Sequence, residues 1–502
     1  MRKILLVVFA WFACICAHAQ TEIITATPEG TLYPTVLGSS QKTYLTTQGG
    51  FGAFSDNSGY RSSIVIDGDD MYIHNIIREY PGIDSWVKGH FVSADVVEFE
   101  FPQPVAVDPK SGNVLYAAML KAVQTNSGID LVADTEAPVL RLKSNEERSK
   151  FSQIMPETDN STLSAYSGMI GLVDANGSFR SYAEQNVSYT IWNELPLTPS
   201  PNLETQSYTA SYLDSWNDSM KRLVKVGVDG DELWICGLCE ALPDAWIKGS
   251  IQADGSVIFN TDQYLGVAND YLYFMCCAQK NGRDYSMTET MTMKAVEGGY
   301  EADGPILFNL GCSRVFLGIA VNELKLTVVA TSDPIPVNPE FGDPEWSDSE
   351  GMGIADVLIL PEDVNGQALD PENLYYRVFF DGELVALEYD EAGNPITELK
   401  YGKESDLILF AYDWHFILFL EPLKSIGVQS VYKVDGNEYC SEVVTFDFPQ
   451  SSVSAPSVDS KQPVGVSYYS IDGAPLSAPT GICISKTTYS DGSVSVAKIM
   501  KR

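Results

Sequence analysis

IVIDGDDMYIHNIIREYPGIDSWVKG, from Ile64 to Gly89, and VGVDGDELWICGLCEALPDAWIKG, from Val226 to Gly249, are two versions of one segment. Asp67-Gly68-Asp69 aligns with Asp229-Gly230-Asp231, Pro81 with Pro243, and Trp86-Val87-Lys88-Gly89 with Trp246-Ile247-Lys248-Gly249. The first version holds two extra residues between its proline and its tryptophan. Further on, Val96-Val97-Glu98-Phe99 is echoed by Val257-Ile258-Phe259. A spacing of about 160 residues is far above the period of any solenoid, so these are two homologous domains. Within each, apolar and polar residues alternate on both sides of an Asp-Gly pair, which predicts a hairpin followed by a tryptophan-bearing strand.

Working outward, the alternation predicts a mainly β chain whose first copy spans 20–195 and second copy 202–332. Each is an antiparallel β-meander that closes into a barrel or sandwich, because an open meander leaves its edges unpaired. Tyr271 to Met275 and Pro305 to Phe308 supply further strands of the second copy. Asn145 to Met155 is expected to be a helix inserted in the larger first copy. Asn193 to Pro201, rich in proline, reads as the linker between copies.

A second proline-rich joint, Asp333 to Pro344, precedes a domain over 345–450. Strands are expected at Val357 to Leu360, Tyr375 to Phe380, Phe416 to Leu420, Val428 to Val434 and Glu442 to Phe446, with Asp-Gly turns at Asp381 and Asp435. The layout, and the closing GVQSVYKVDGNEYCSEVVTF, resemble an immunoglobulin-like or fibronectin type III-like sandwich. Residues 464–502 read as three or four short strands with turns at Asp472-Gly473 and Asp491-Gly492. Gly473, Gly481, Gly492 and the closing Val496-Ala497-Lys498-Ile499 make this small β module similar to the C-terminal sorting domain of type IX secretion in Bacteroidetes, in a shorter form. The whole layout thereby resembles secreted multi-domain β proteins of that group, and the resemblance implies export to the cell surface.

The other end agrees. Arg2 and Lys3 precede an apolar run from Ile4 to Ile15, and Ala17-His18-Ala19 places small residues at a cleavage site, so 1–19 is a secretory signal peptide. The rival, a lipoprotein anchored through Cys14 or Cys16, has Trp11-Phe12-Ala13 in a poor context. Nothing later has the length of unbroken apolar sequence that a transmembrane helix needs. The expected location is therefore extracellular or on the outer-membrane surface, reached through the periplasm.

Charge narrows the partners. The 502 residues hold 32 Lys plus Arg against 67 Asp plus Glu, a formal net charge of −35. Asp333 to Gln450 alone contains 25 acidic and five basic residues, whereas Lys461 to Arg502 reverses the sign with five basic and two acidic. A polyanion repels phosphate backbones and anionic lipid, which excludes nucleic acid. A glycan or a surface protein remains as the partner.

Signatures of catalysis are missing: no G-x-S-x-G, no phosphate-binding loop, no H-E-x-x-H. Beyond residue 19 only His74, His90 and His415 remain, and His74 falls where the other copy has Cys236. Cys236-Gly237-Leu238-Cys239 has the spacing of a redox or zinc motif, but its setting is a meander turn rather than a helix start. Cys276 and Cys277, adjacent on a strand, face opposite ways. With Cys312, Cys440 and Cys483 they read as buried thiols. No cofactor is expected. Calcium has one candidate loop, Asp363-Val364-Asn365-Gly366 with Glu362 and Asp370; the Asp-Gly-Asp runs read as turns. Trp86 and Trp246, at matching places, are the candidate ligand-binding residues, either sugar-stacking platforms or core aromatics. The reading that follows is a non-catalytic secreted or cell-surface binding and adhesion protein. A secreted carbohydrate-active hydrolase is the alternative, or a small-ligand carrier if the repeats form open barrels.

Overall fold

The computed structural model describes residues 22–47, 50–77, 83–125, 128–157, 163, 166–311, 318–330, 332–448, 463–470, 475–479, 481–489 and 494–501. The expected signal peptide, Pro81, Cys312, and the expected turns at Asp472-Gly473 and Asp491-Gly492 lie outside the described residues. Two compact units are present, one holding both copies up to Val328 and one from Val329 onward with Lys221–Leu223. No α-helix occurs among the described residues, and every strand pairing in them is antiparallel. No helix there is long and apolar enough to cross a membrane.

The first copy has twelve strands: β1 (Thr31–Thr47), β2 (Gly50–Asp67), β3 (Asp70–His74), β4 (Trp86–Phe91), β5 (Val96–Glu100), β6 (Gln103–Val107), β7 (Val114–Thr125), β8 (Gly128–Ala133), β9 (Val139–Ser144), β10 (Lys150–Gln153), β11 (Met169–Val173) and β12 (Phe179–Ile191). Eight of them close a barrel in the order β1-β2-β3-β4-β5-β9-β10-β12 and back to β1. A second sheet continues from β12 through β11 to β7, and β7 also pairs with β6 and β8. Closure pairs the barrel edges that a meander would leave open.

The second copy repeats this strand for strand: β13 (Thr205–Leu213), β14 (Ser219–Asp229), β15 (Glu232–Cys236), β16 (Trp246–Ile251), β17 (Val257–Asn260), β18 (Gln263–Ala268), β19 (Tyr271–Asn281), β20 (Asp284–Thr288), β21 (Thr290–Val296), β22 (Gly299–Ala302), β23 (Ile306–Leu310) and β24 (Gly318–Val328). Its path runs β14-β15-β16-β17-β21-β22-β24-β13, with β23, β19, β18 and β20 branching from β24 as their counterparts do from β12. Registers match too: His74 lies opposite Trp86, and Cys236 opposite Trp246.

The repeat motif earns its residues here. Gly68 and Gly230 take φ of 59° and 62° as the first residues of two-residue hairpin turns, where L side chains are disfavoured. At Gly89 and Gly249 an added Cβ would stand 2.8 Å from the rings of Phe99 and Phe259, so these strands are glycine where the neighbouring phenylalanine crosses them. Both phenylalanines are fully buried, each contributing about 1.5–3 kcal/mol by leaving water. Phe99 joins Ile64, Met71, Phe151, Tyr182 and Tyr189 in a barrel interior filled by side chains.

The copies meet directly. Tyr60 of β2 pairs with Tyr271 of β19, and the Arg61 N–H donates to the Asp270 carbonyl at 2.6 Å. Trp192, just past β12, packs against Tyr264 and Phe274 of the second copy at 5.5 and 5.0 Å between ring centres.

One expectation is corrected. Asn145 to Met155 is a turn and strand β10, not a helix. The Asn145 side chain accepts the N–H groups of Ser149 and Lys150, and Arg148 sits at φ 52°, so a helix cannot propagate through it.

In the second unit, two sheets enclose one core. One contains Met352–Leu358 paired with Trp414–Phe419, flanked by Glu340–Phe341, Glu345–Ser347 and Ile408–Ala411; the other is built on Leu374–Phe380 and Ser425–Val434. Val357, Tyr376, Ile417 and Val428 lie fully buried between them. The hairpins at Asp381-Gly382 and Asp435-Gly436 have positive φ at both residues, as type I′ turns require. A separate sheet of four strands holds Pro463–Tyr469, Pro475–Leu476, Gly481–Tyr489 and Val494–Lys501, with the Val496 to Ile499 tail on its last strand.

Candidate functional site

Between β13 and β14 the chain reads Asp214-Ser215-Trp216-Asn217-Asp218. Aspartate, serine and asparagine are turn residues because their short side chains bond to nearby backbone. Here Asp214 accepts the N–H groups of Trp216 and Asp218 at 2.7 and 2.8 Å, and Asn217 takes φ 67°. Surrounding groups fix the turn further. The Ser215 hydroxyl accepts the Ala320 N–H at 3.0 Å, and Lys280 donates to the Asn217 side-chain oxygen Oδ1 at 2.9 Å. Buried Asn322 donates to the carbonyls of Leu213 and Asp214. On this tightly held turn the Trp216 ring is 83% exposed, the only exposed tryptophan among the described residues. Burying such a ring would release far more apolar area than any neighbour, and the turn leaves little entropy to lose on binding.

The second unit has a similar tip. Tyr412 and Asp413 form the two-residue turn between Ile408–Ala411 and Trp414–Phe419, with φ of 51° and 64°. A bulky aromatic in the left-handed region is uncommon, and Tyr412 is 92% exposed there. The Tyr401 hydroxyl bonds the Asp413 carboxylate and pins the turn from below. Strain held at an exposed aromatic is a feature of sites that bind.

The residues singled out from the sequence are placed differently. Trp86 is 4% exposed, with its ring against His74 at 4.7 Å, so it has no open face for a sugar. Trp246 is partly covered and meets Trp234 edge-on at 6.4 Å. They occupy matching positions in separate copies and form no joint site. Trp216 and Tyr412 were not singled out from the sequence; an aromatic surrounded by Asp, Ser and Asn between two strands is the signal that would have found the first.

Asp70 bonds Lys88 at 2.7 Å and His90 at 3.1 Å, and these bonds outweigh burial to hold its carboxyl below the usual range. The equivalent Glu232 pairs with Lys248. The candidate calcium loop is knitted by N–H donors. Asp363 is 1% exposed and accepts from the backbone of Asn365 and Gln367 and from the Gln367 side chain, while Asp370 caps the short turn Pro371–Asn373. Cys236 ends a strand, donates to the Pro243 carbonyl, and has its thiol pushed up by burial, opposite to what redox chemistry needs. Cys276 and Cys277 belong to different core clusters on opposite faces of β19, and burial pushes both up to about 12. Among the described residues no group of three His, Cys, Asp or Glu is arranged to hold a metal ion. Neither a protein-family model nor a curated protein matches this sequence.

Proposed function

We propose that this chain is an exported, non-catalytic binding protein of the cell surface or extracellular space, which engages a glycan through aromatic rings displayed on hairpin tips. The observation that carries it is Trp216, 83% exposed on a turn that its own and neighbouring side chains hold in place. Export rests on the basic, apolar and small-residue pattern of 1–19 and on the sorting-like residues of 464–502. The sandwich over 345–450 serves, as fibronectin type III-like modules do, to set binding faces apart, and its acidity keeps the array soluble. A barrel interior filled by large side chains counts against the carrier reading.

The test is an array of host and plant glycans probed with the chain lacking its first 19 residues. Specific binding that falls at least tenfold in Trp216→Ala, with unfolding unchanged, is the expected result. Binding indifferent to that substitution overturns the role of the tip. Silence on the array, with Trp216-dependent capture by intact cells stripped of glycan, replaces the glycan by a protein ligand.

A further inference from the structure

The two sheets of the sandwich present unlike outer faces. An antiparallel sheet ordinarily turns polar residues to water on the side away from its core. The sheet built on Leu374–Phe380 and Ser425–Val434 obeys: Arg377 bonds Glu398 at 3.0 Å and Glu438 at 2.9 Å, and Lys433 stands 3.8 Å from Glu438. The sheet built on Met352–Leu358 and Trp414–Phe419 does not. Val357, His415 and Ile417 are buried on its inner side. The period of two then turns Ile354, Leu358, Trp414, Phe416 and Leu418 outward, each partly open to water. Leu409, opposite Phe416 on the edge strand, joins them and is 49% exposed. None of the six is part of the core that the described residues form between the sheets. The charges of this face are Glu340, Glu345 and Asp356, and the five strands contain no lysine or arginine.

An apolar surface rimmed by carboxylates fits an apolar surface that carries cations. The C-terminal sheet has such a surface. Cys483 and Ser485 are buried on one of its sides. The other side carries Val494, Val496 and Lys498 from the last strand, with Lys486 opposite Val496 and Ile484 opposite Lys498. Val494 and Val496 are 49% and 59% exposed, both lysines are exposed, and no strand of this sheet contains Asp or Glu. Within one chain, therefore, both faces are open. Two antiparallel sheets can pack face to face, about 10 Å apart, as the layers of a sandwich do. Pairing the acidic face with itself would set carboxylate against carboxylate, whereas the C-terminal sheet offers them lysines. We infer that the apolar face of the sandwich is covered by the C-terminal sheet of a second copy of this chain. The contact joins unlike surfaces, so it links copies head to tail instead of closing as a two-fold dimer. It does not rest on the glycan reading or on Trp216.

The test is sedimentation velocity of the chain lacking its first 19 residues, over a range of concentrations. The mass is expected to rise with concentration. Lys486→Glu with Lys498→Glu, and separately Glu340→Lys with Glu345→Lys, should each weaken association at least tenfold. An equimolar mixture of the two variants should recover it, because the reversed charges then meet. All four positions are exposed, so urea unfolding should stay unchanged. Leu409→Glu sets a charge within the apolar face and should weaken association as much; it decides the matter if a reversed pair does not fold. The inference is overturned by a chain that stays monomeric at every concentration, by a folded variant that weakens association less than tenfold, or by a mixture that recovers nothing.

Discussion

The two copies of the first unit run the same strand programme and differ at the connections between strands. Where they agree, identical physics recurs. Gln103 accepts the Lys88 N–H at 2.7 Å and donates to the carbonyls of Lys88 and Glu100; Gln263 does the same for Lys248 and Asn260, at 2.9 Å throughout. Each glutamine thus stitches its sixth strand to the fourth. Where the copies differ, one displays an exposed tryptophan between its first two strands, and the other joins its tenth and eleventh by fifteen residues instead of three. Shared positions maintain the barrel core, and the divergent ones lie at connections, which change without disturbing that core.

The hardest test of the shared core is Phe99→Ala beside Phe259→Ala. Both rings are fully buried over a glycine, so each substitution should cost about 3–5 kcal/mol in urea unfolding. Losses differing by more than about 2 kcal/mol would break the equivalence of the two cores.

Acid sharpens the comparison by weakening the other unit first. His415 is fully buried among Tyr376, Tyr401 and Phe410, and burial pushes its pKa from 6.5 down to about 4. The folded state keeps this ring neutral while the unfolded chain takes up a proton below pH 6.5. Its stabilisation is therefore complete above that pH and drains away as pH falls toward 4, by about 3 kcal/mol in all at about 1.4 kcal/mol per unit. Urea melts at pH 7 and 5 should show the sandwich losing stability relative to the copies; His415→Asn should flatten that difference.

Smaller effects come from the glutamines. Gln103→Ala strips the Lys88 backbone of both its partners at a site only 3% exposed and should cost about 1–3 kcal/mol. Gln263→Ala, at a more open position, should cost less, and a reversed order in thermal unfolding would argue that the second copy depends more on this stitch. Smallest of all, Trp216→Ala should alter stability by no more than about 0.5 kcal/mol, since its ring touches mostly water. A larger drop would make the tip part of the core and remove it as a binding element.

Much of this architecture was readable from residue patterns. The Asp-Gly turns, the alternation around them and the tryptophan strands place four of the strands in each copy's meander, and Tyr271 to Met275 and Pro305 to Phe308 add two in the second. The glutamine stitches went unseen because a lone glutamine carries no periodic signal; its role exists only once the fourth and sixth strands lie side by side. Asn145 to Met155 looked helical in composition, but a side chain that captures its own backbone decided for a turn and strand. Trp86 and Trp246 drew attention as matching aromatics, and burial separates them from solvent to different degrees.

Sequence alone determined the duplication, the mainly β class, the hairpin turns and the facing of Cys276 and Cys277, because each depends on local backbone preference and on a side-chain period of two. Only tertiary structure decided which aromatics face water, that eight strands of the first copy close a barrel, and that a glutamine ties the sixth strand of each copy to the fourth. Those outcomes depend on contacts between residues far apart in the chain, where burial and excluded volume act and no local pattern records the result.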